Sequence, residues 1–291
     1  MRGRKVKASS IVKRIAHDSP QNYAYLMREA RDITRQVTVA ASAVIAVIGS
    51  FVGSGAAGGT PIQEASGGAL SATATPIAPD VPAFSIWSVI YFGLLAYAVW
   101  QLLPKQSSAE RHRRLGYWVA ASLILNAAWI LSVQFDQLWL SLPVIVALLA
   151  VLARAFVLCL RYRPAGVVDA VITDGTLGLY LGWVSIATAA NATALLVAAG
   201  FTGFGLDADT WAVVVLGVAA VVGVIVAIAG RGRIAPALSL SWGLGWVAVG
   251  RLAGELISVP AGIAAIVAAA LVLLATAIAR VGSRTSASTE V

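Results

Sequence analysis

Long runs of apolar residues recur along this chain and restrict its fold more than any other feature. A hydrocarbon layer about 30 Å thick demands about 20 such residues for each helical crossing. Runs bounded by charged or turn-rich breaks give about eight candidate spans, at residues 38–54, 84–103, 115–134, 139–160, 175–199, 210–229, 235–257 and 260–280. Strand-like alternation is absent and a span must satisfy its own backbone hydrogen bonds, so helices are predicted. The expected fold class is all-α: a polytopic membrane helix bundle of about eight helices.

The distribution of charge predicts how these spans are oriented. If the N-terminus is cytoplasmic, every Lys and Arg between spans falls in an inner segment, and the outer loops carry Asp and Glu instead. The positive-inside rule then predicts a multi-pass protein of the inner (cytoplasmic) membrane with both termini in the cytoplasm. The net charge of +8 is spread over all inner segments. Topology and anionic lipid explain it, and no nucleic-acid partner is expected.

The N-terminal region is predicted as a basic cytoplasmic arm, residues 1–37, with a short helix over residues 21–36 near the membrane surface. The first apolar run ends in small residues, so a signal peptide cleaved near Gly55 competes with a retained first helix. The long charged segment before the run favours the retained helix. Residues 55–83 are predicted to be an extracytoplasmic loop too poor in large apolar side chains to fold alone.

Pairs of small residues spaced by four are expected to let helices approach closely. Three pairs occur in the predicted spans: Gly49 and Gly53, Gly178 and Gly182, and Gly250 and Gly254. Such pairs are common in membrane helices and identify no partner by themselves.

Aromatic and amide side chains from three spans fall at similar predicted depths. With a rise of 1.5 Å per residue, sequence position converts directly to distance below the outer end of a helix. The layer contains, at roughly 5 to 14 Å on this scale, five residues: Trp87, Tyr91, Asn126, Trp129 and Asn191. Trp183 lies deeper, at roughly 24 Å, as a floor if it faces the same cavity. A binding cavity is one explanation of the layer.

The alternative is an aromatic belt, because Trp and Tyr collect at membrane interfaces. Four tryptophans near predicted helix ends are assigned to such a belt: Trp100, Trp118, Trp139 and Trp211. Trp87 fits either role. Asn126 and Asn191 do not fit a belt, because a buried amide needs partners; hydrogen bonding between helices is their structural alternative.

Two ionisable residues lie within the predicted seventh span. Arg251 lies roughly 12 Å below its outer end, and Glu255 is one turn closer to water. Such residues are functional candidates, because exposure to lipid is costly. A self-neutralising ion pair between residues i and i+4 is the structural alternative, and both remain open.

The remaining polar residues predict neither a metal site nor a catalytic set. Cys159 is a lone thiol expected to pack in the fourth span. His17 and His112 lie in basic segments and are interpreted as solvated surface. Asp169 and Asp174 precede the fifth helix, where carboxylates favour the helix N-terminus, and capping is preferred to a proton relay.

Three stretches of sequence resemble the tryptophan-rich sensory protein and translocator protein family, also called the peripheral benzodiazepine receptor family. They are PAFSIWSVIYFGLLAYAVW in the second span, NAAWILS in the third and LYLGWVSIATAAN in the fifth. The resemblance implies a five-helix ligand-binding bundle over residues 38–200. The apolar runs predict three additional transmembrane helices over residues 201–282, which have no counterpart in the short family members, and a cytoplasmic tail, residues 283–291.

The resemblance also implies a ligand. Members of that family bind tetrapyrroles such as protoporphyrin between their helices. The matching positions here are Trp87, Tyr91, Asn126, Trp129, Trp183 and Asn191. Arg251 and Glu255 match no family position and are a possible charge partner for a ligand carboxylate because they are ionisable residues within a span. Indole and phenol rings stack on a flat aromatic ligand and Asn amides bond its polar edge.

We therefore expect a membrane binding or sensory protein for a tetrapyrrole or similar apolar aromatic small molecule. No cofactor is required; porphyrin is the candidate ligand. The resemblance allows light-dependent porphyrin breakdown at Trp129 or Trp183, but no acid–base pair, nucleophile or metal set supports catalysis. A transporter of a small lipophilic substrate is the alternative. The expected partners are the bilayer and the ligand, with a homodimer left open.

Overall fold

The structure, a computed structural model, describes residues 20–288. Eight long helices make up most of this part of the chain: α1 (Pro20–Gly53), α2 (Ile86–Trp100), α3 (Glu110–Gln134), α4 (Leu138–Arg161), α5 (Thr176–Ala198), α6 (Ala208–Ala229), α7 (Ile234–Leu252) and α8 (Val259–Ser288). No strand occurs within residues 20–288. The prediction of an all-α membrane helix bundle is confirmed.

Short helical turns extend two of these helices and break the connections between others. A 3₁₀ turn, Val81–Ser85, leads directly into α2, and a π-helical turn, Ala170–Gly175, leads into α5. The remaining turns are Ala65–Gly68, Pro104–Ser107, Val167–Asp169 and Gly203–Gly205. With their turns, the second and fifth spans run over Val81–Trp100 and Val167–Ala198.

Seven of the eight expected spans are long and apolar enough to cross a membrane, as judged within residues 20–288. The exception is α7, which has 19 residues and ends five residues before the predicted boundary at 257. Its apolar character is diluted by two tryptophans, several Gly and Ser residues and Arg251. It nevertheless lies inside the bundle, between α5 and α8.

The first helix differs from the predicted arrangement. A short helix lying near the membrane surface was expected before a separate first span, but α1 is one continuous helix of 34 residues. Nothing between the two predicted segments stops a helix, since residues 30–45 contain neither Gly nor Pro. Most of the predicted arm, residues 1–19, lies outside the described residues.

The helices contact one another in the order α1, α3, α4, α5, α7, α8 and α6, and α2 lies against α1 and α5. Two of the predicted glycine pairs bring neighbours close. A Cβ atom on Gly49 would lie 2.9 Å from that of Ala127 in α3, and one on Gly182 would lie 2.1 Å from the carbonyl oxygen of Pro236 in α7. The third pair was wrong, because Gly254 lies beyond the end of α7.

The long connection between α1 and α2 folds back onto the bundle. It buries Ala65, Thr75, Ile77 and Ala78 against the helices, although its sequence holds few large side chains. We call this side of the bundle the loop end. The opposite side is the basic end; there the chain connects α2 to α3 and α6 to α7.

Candidate ligand-binding site

A cavity opens between α2, α3 and α5 at the loop end. Its walls are three tryptophans from the three helices, Trp87, Trp129 and Trp183, together with Asn191. The space between its lining residues is ≈ 490 Å³, including the part open to solvent. The cavity is mostly apolar, because alanines and Phe84 complete its helical walls.

Trp87 is the centre of an aromatic cluster in this wall. Its ring centroid lies 5.8 Å from that of Tyr180 and 6.2 Å from that of Trp183, at interplanar angles of 71° and 82°. Phe84 meets Trp183 in a similar edge-to-face contact, 5.7 Å between centroids. Edge-to-face packing fixes each ring relative to the others, so the wall is rigid and aromatic.

Trp129 is held in place by a hydrogen-bond chain between helices. Its indole N–H donates to Oδ1 of Asn191 over 2.7 Å, and Nδ2 of Asn191 donates to Oγ of Ser141 in α4 over 2.8 Å. Asn191 is 1% exposed, so these partners satisfy an amide that would otherwise be costly to bury. The chain fixes the orientation of the Trp129 ring at the cavity.

Tyr91 and Asn126 lie together but outside this cavity wall. Nδ2 of Asn126 donates to the Tyr91 hydroxyl over 2.5 Å, and that hydroxyl also shares a hydrogen bond with Ser50 of α1. The three side chains join α1, α2 and α3. The layer predicted from depth therefore divides: Trp87, Trp129, Trp183 and Asn191 line the cavity, whereas Tyr91 and Asn126 form a neighbouring brace.

The long loop covers the cavity as a roof, which we define as residues 69–80. Its residues that line the cavity are Ala69, Leu70, Thr75, Ala78 and Pro79. Sequence reasoning missed these residues, because small side chains in a Gly- and Ala-rich segment carry no recognisable signal of their own.

The roof is attached to α7. The guanidinium of Arg251 donates to the backbone oxygens of Ala72 over 2.5 Å and Thr75 over 3.4 Å. The backbone N–H of Asp80 donates to the carbonyl of Trp246 over 3.2 Å. Just beyond the roof, the Trp242 indole N–H donates to the carbonyl oxygen of Ala83 over 2.9 Å.

The structure changes the interpretation of Arg251 and Glu255. Arg251 was predicted about 12 Å deep in its helix, but α7 ends at Leu252, so it lies in the last turn. Glu255 lies beyond the helix and is exposed, and the ion pairs of the described residues do not include one between the two. The predicted i,i+4 pair is wrong because its helix does not continue. Arg251 is 1% exposed and contacts the roof instead.

Polar atoms of the cavity wall differ in whether they have partners. Those of Trp129 and Asn191 are engaged with each other. Among the described residues, the indole N–H of Trp183 and the hydroxyl of Thr75 are buried without a hydrogen-bond partner. A buried polar atom without a partner costs free energy, so these two are the wall's unsatisfied groups.

A cluster of charged residues at the basic end was missed by sequence reasoning. Arg111 contacts Asp169 at 3.5 Å and Asp174 at 2.5 Å, and Arg233, just before α7, contacts Asp174 at 2.9 Å. The prediction that Asp169 and Asp174 cap the fifth helix is wrong. Asp169 makes no side-chain capping bond and accepts from the Ala165 N–H and the Thr173 hydroxyl. Asp174 lies within the π-helical turn and pairs with two arginines. No local signal reveals such a cluster, because its members come from α3, from the turns before α5 and from the residue before α7.

His112 belongs to the same region and was predicted wrongly as solvated surface. It is 0% exposed, its Nε2 lies 3.2 Å from Oε1 of Gln106 and 3.8 Å from Asp169, and its ring contacts Tyr97. The helix α3 already begins at Glu110, so its first turn buries His112 against α2. Cys159 is buried, as expected. His17 lies outside the described residues.

Comparison with known families gives one match that covers most of the chain. The model of the TSPO-like protein family matches residues 39–277 of the 291. The match continues beyond residue 200 and includes α6, α7 and most of α8, which the resemblance in the first five helices left without a counterpart. Neither the curated proteins nor the solved structures give a match.

Proposed function

This chain belongs to the TSPO-like protein family, and from that membership and its cavity we propose that it binds a flat apolar aromatic ligand of the tetrapyrrole class within the membrane. The observation that carries the proposal is the convergence of Trp87, Trp129 and Trp183 from three helices on one cavity. An aromatic belt explains tryptophans at one depth, but not tryptophans from three helices that line the same cavity.

The chemistry of the wall suits a large planar ligand. Indole rings offer apolar faces and edges against which a macrocycle stacks. Their positions are set by edge-to-face contacts and by the Trp129–Asn191 hydrogen bond, so little ordering is needed on binding. The unsatisfied groups of Trp183 and Thr75 supply a donor and a hydroxyl for ligand acceptor atoms.

The other predicted residues have supporting roles in this proposal. Tyr91 and Asn126 hold α2 and α3 in register beside the cavity. Arg251 does not line the cavity, so its contribution comes through the roof that it holds. Glu255 is exposed beyond α7 and has no part in the site.

Binding or sensing accounts for the site better than catalysis does, since the cavity wall contains rings, one amide and small residues. We place the protein in the inner membrane with both termini in the cytoplasm, on the distribution of Lys and Arg in the sequence. The loop end then faces away from the cytoplasm. Transport of a lipophilic substrate is the competing proposal and is tested separately.

Quenching of tryptophan fluorescence tests the binding proposal. The purified protein in nanodiscs is titrated with protoporphyrin, beside Trp129→Phe and lipid-only nanodiscs. Trp139→Phe is the matched control, because Trp139 is 64% exposed and lies outside the cavity. We expect saturable quenching that weakens at least about threefold in affinity in Trp129→Phe and stays unchanged in Trp139→Phe.

Quenching equal to that caused by partition into empty nanodiscs would refute the binding proposal. Transport requires a different measurement, the flux of the ligand across proteoliposome membranes. Flux that Trp87→Ala abolishes and Trp139→Phe leaves intact would favour the transporter over a binding protein.

A further inference from the structure

We propose that α7 is a clamp that holds the roof over the aromatic cavity and sets how fast ligand enters and leaves. This rests on the proposed binding function and gives a role to part of the chain beyond its first five helices. The clamp consists of α7 residues Trp242, Trp246, Gly250 and Arg251.

Three of the clamp residues lie on one face of α7, where a helix can hold an extended segment. Trp242, Trp246 and Gly250 are spaced by four, so they lie along one face of α7. The backbone of Trp246 accepts a hydrogen bond from the N–H of Asp80. Gly250 lies close to the same residue, since a Cβ atom added at Gly250 would be 3.4 Å from the Cβ of Asp80. Arg251, the residue after Gly250, points to another side of α7 and donates to the carbonyls of Ala72 and Thr75.

The roof depends on these contacts because it has little core of its own. Residues 69–80 are mostly Ala, Thr, Ser and Pro, and Ile77 is their largest fully buried side chain. Arg251 reaches the backbone oxygens of the roof and leaves its side chains free. Thr75, Ala78 and Pro79 can therefore face the cavity while α7 fixes their main chain.

The hydrogen bonds from Arg251 to the roof can break without separating an ion pair. Its partners are neutral carbonyls, and among the described residues no carboxylate lies within ion-pair distance of its guanidinium. A hydrogen bond from a charged donor to a carbonyl is stronger than one between two neutral groups, but it lacks the attraction between opposite charges that an ion pair has. A ligand as large as a tetrapyrrole needs the roof to move, since the roof forms one wall of the cavity.

A disulfide between the roof and α7 tests the clamp directly. The 3.4 Å between Cβ positions at Asp80 and Gly250 lies near the range of about 3.5–4.5 Å found in disulfides. The double variant Asp80→Cys with Gly250→Cys is made in a Cys159→Ala background, in nanodiscs, and loaded with protoporphyrin. Release into excess empty nanodiscs is timed with the disulfide oxidised and again after reduction.

We expect release to be at least about tenfold slower in the oxidised state than in the reduced state of the same protein. Single Asp80→Cys controls for the lost carboxylate and should show no redox dependence. Equal release rates, with the disulfide verified by mass spectrometry, would overturn the clamp and mean that ligand leaves between the helices. Absence of saturable binding in the wild type and in the reduced variant would instead overturn the binding function.

A second measurement needs no ligand and so judges the clamp alone. Ala78→Cys places a thiol on the cavity side of the roof, again with Cys159→Ala, and its rate of modification by a maleimide reports roof opening. We expect Arg251→Gln to raise that rate about tenfold, because loss of roughly one charged hydrogen bond shifts the opening equilibrium of the roof by about that factor. Trp242→Phe, which keeps a ring and loses one N–H donor, should raise it less.

Arg154→Gln is the matched control, because Arg154 lies over the Trp118 ring, away from α7. Arg154→Gln should leave the rate of maleimide modification of the Ala78→Cys thiol unchanged. If Arg251→Gln and Arg154→Gln give the same rate, α7 does not restrain the roof, whatever ligand the cavity holds.

Discussion

Trp129 donates its indole N–H to the side-chain oxygen of Asn191 over 2.7 Å, and this bond joins α3 to α5 beside the cavity. The same amide donates to Ser141 of α4. One buried side chain therefore ties three helices together and orients one of the three tryptophans in the wall. Asn191 therefore contributes both to the packing of the helices and to the shape of the cavity wall.

Asn191→Ala should weaken both stability and ligand affinity. The substitution leaves the Trp129 N–H and the Ser141 hydroxyl without their amide partner, which costs about 1–3 kcal/mol in unfolding free energy. It also frees the Trp129 ring to turn, so protoporphyrin affinity should fall. Thermal unfolding and fluorescence titration in nanodiscs measure the two effects. Thr193→Ala, half a turn away and bonded only to its own helix, should change neither.

Tyr91→Phe should distinguish the contribution of the brace to stability from the contribution of the cavity wall to ligand affinity. The change removes a hydroxyl that bonds Asn126 and Ser50 but keeps the ring packed against Trp87. We expect a loss of about 1–2 kcal/mol in stability, with protoporphyrin affinity within about threefold of the wild type. A large loss of affinity with unchanged stability would show that Tyr91 contacts the ligand directly.

The sequence predicted the helices because apolar runs of fixed length leave few alternatives in a bilayer. It also placed Trp87, Trp129 and Asn191 at one level, since depth follows from position along a helix. Depth says nothing about the direction in which a side chain points around its helix. Tyr91, one turn from Trp87, therefore passed as a cavity residue although it faces α1 and α3.

Other errors arose where distant parts of the chain meet. Arg251 looked like a residue deep in a span because the apolar pattern continues past Leu252, and only the folded loop shows what its guanidinium bonds. His112 looked exposed among basic neighbours, yet α2 and the turn Val167–Asp169 cover it. The partners of both residues come from elements far away in sequence, and no local pattern encodes those contacts.

Asp174→Asn should destabilise the protein through the charge cluster at the basic end. Asp174 pairs with Arg111 and Arg233, so its loss leaves two guanidinium groups short of a counter-charge in a largely buried site. Removing one partner of a buried pair costs about 3–5 kcal/mol, and the partial exposure of Arg233 places the expected loss at the lower end. Thermal unfolding measures it.

The matched control for this prediction is Glu110→Gln. Glu110 forms an exposed pair with Arg114 one turn away on α3. An exposed pair of this kind contributes at most about 1 kcal/mol. Equal effects of the two substitutions would mean that the cluster at the basic end is solvated and contributes no more than a surface pair.

Gly182→Ala should separate α5 from α7 and so loosen both the cavity wall and the clamp. The added methyl group would lie 2.1 Å from the Pro236 carbonyl oxygen and 2.4 Å from Oγ of Ser239, and backbone cannot yield as a side-chain tip can. Overpacking of this kind costs about 1–3 kcal/mol. Because Trp183 is the next residue, its ring should shift and protoporphyrin affinity should fall with stability.

Gly217→Ala is the control, since nothing lies within 4 Å of its added methyl group on α6. Alanine is the better helix former by about 1 kcal/mol, so this variant should be as stable as the wild type or more so. If Gly182→Ala behaved like Gly217→Ala in thermal unfolding and in titration, the close contact of α5 with α7 would not hold, and α7 would lie too far from the cavity to clamp its roof.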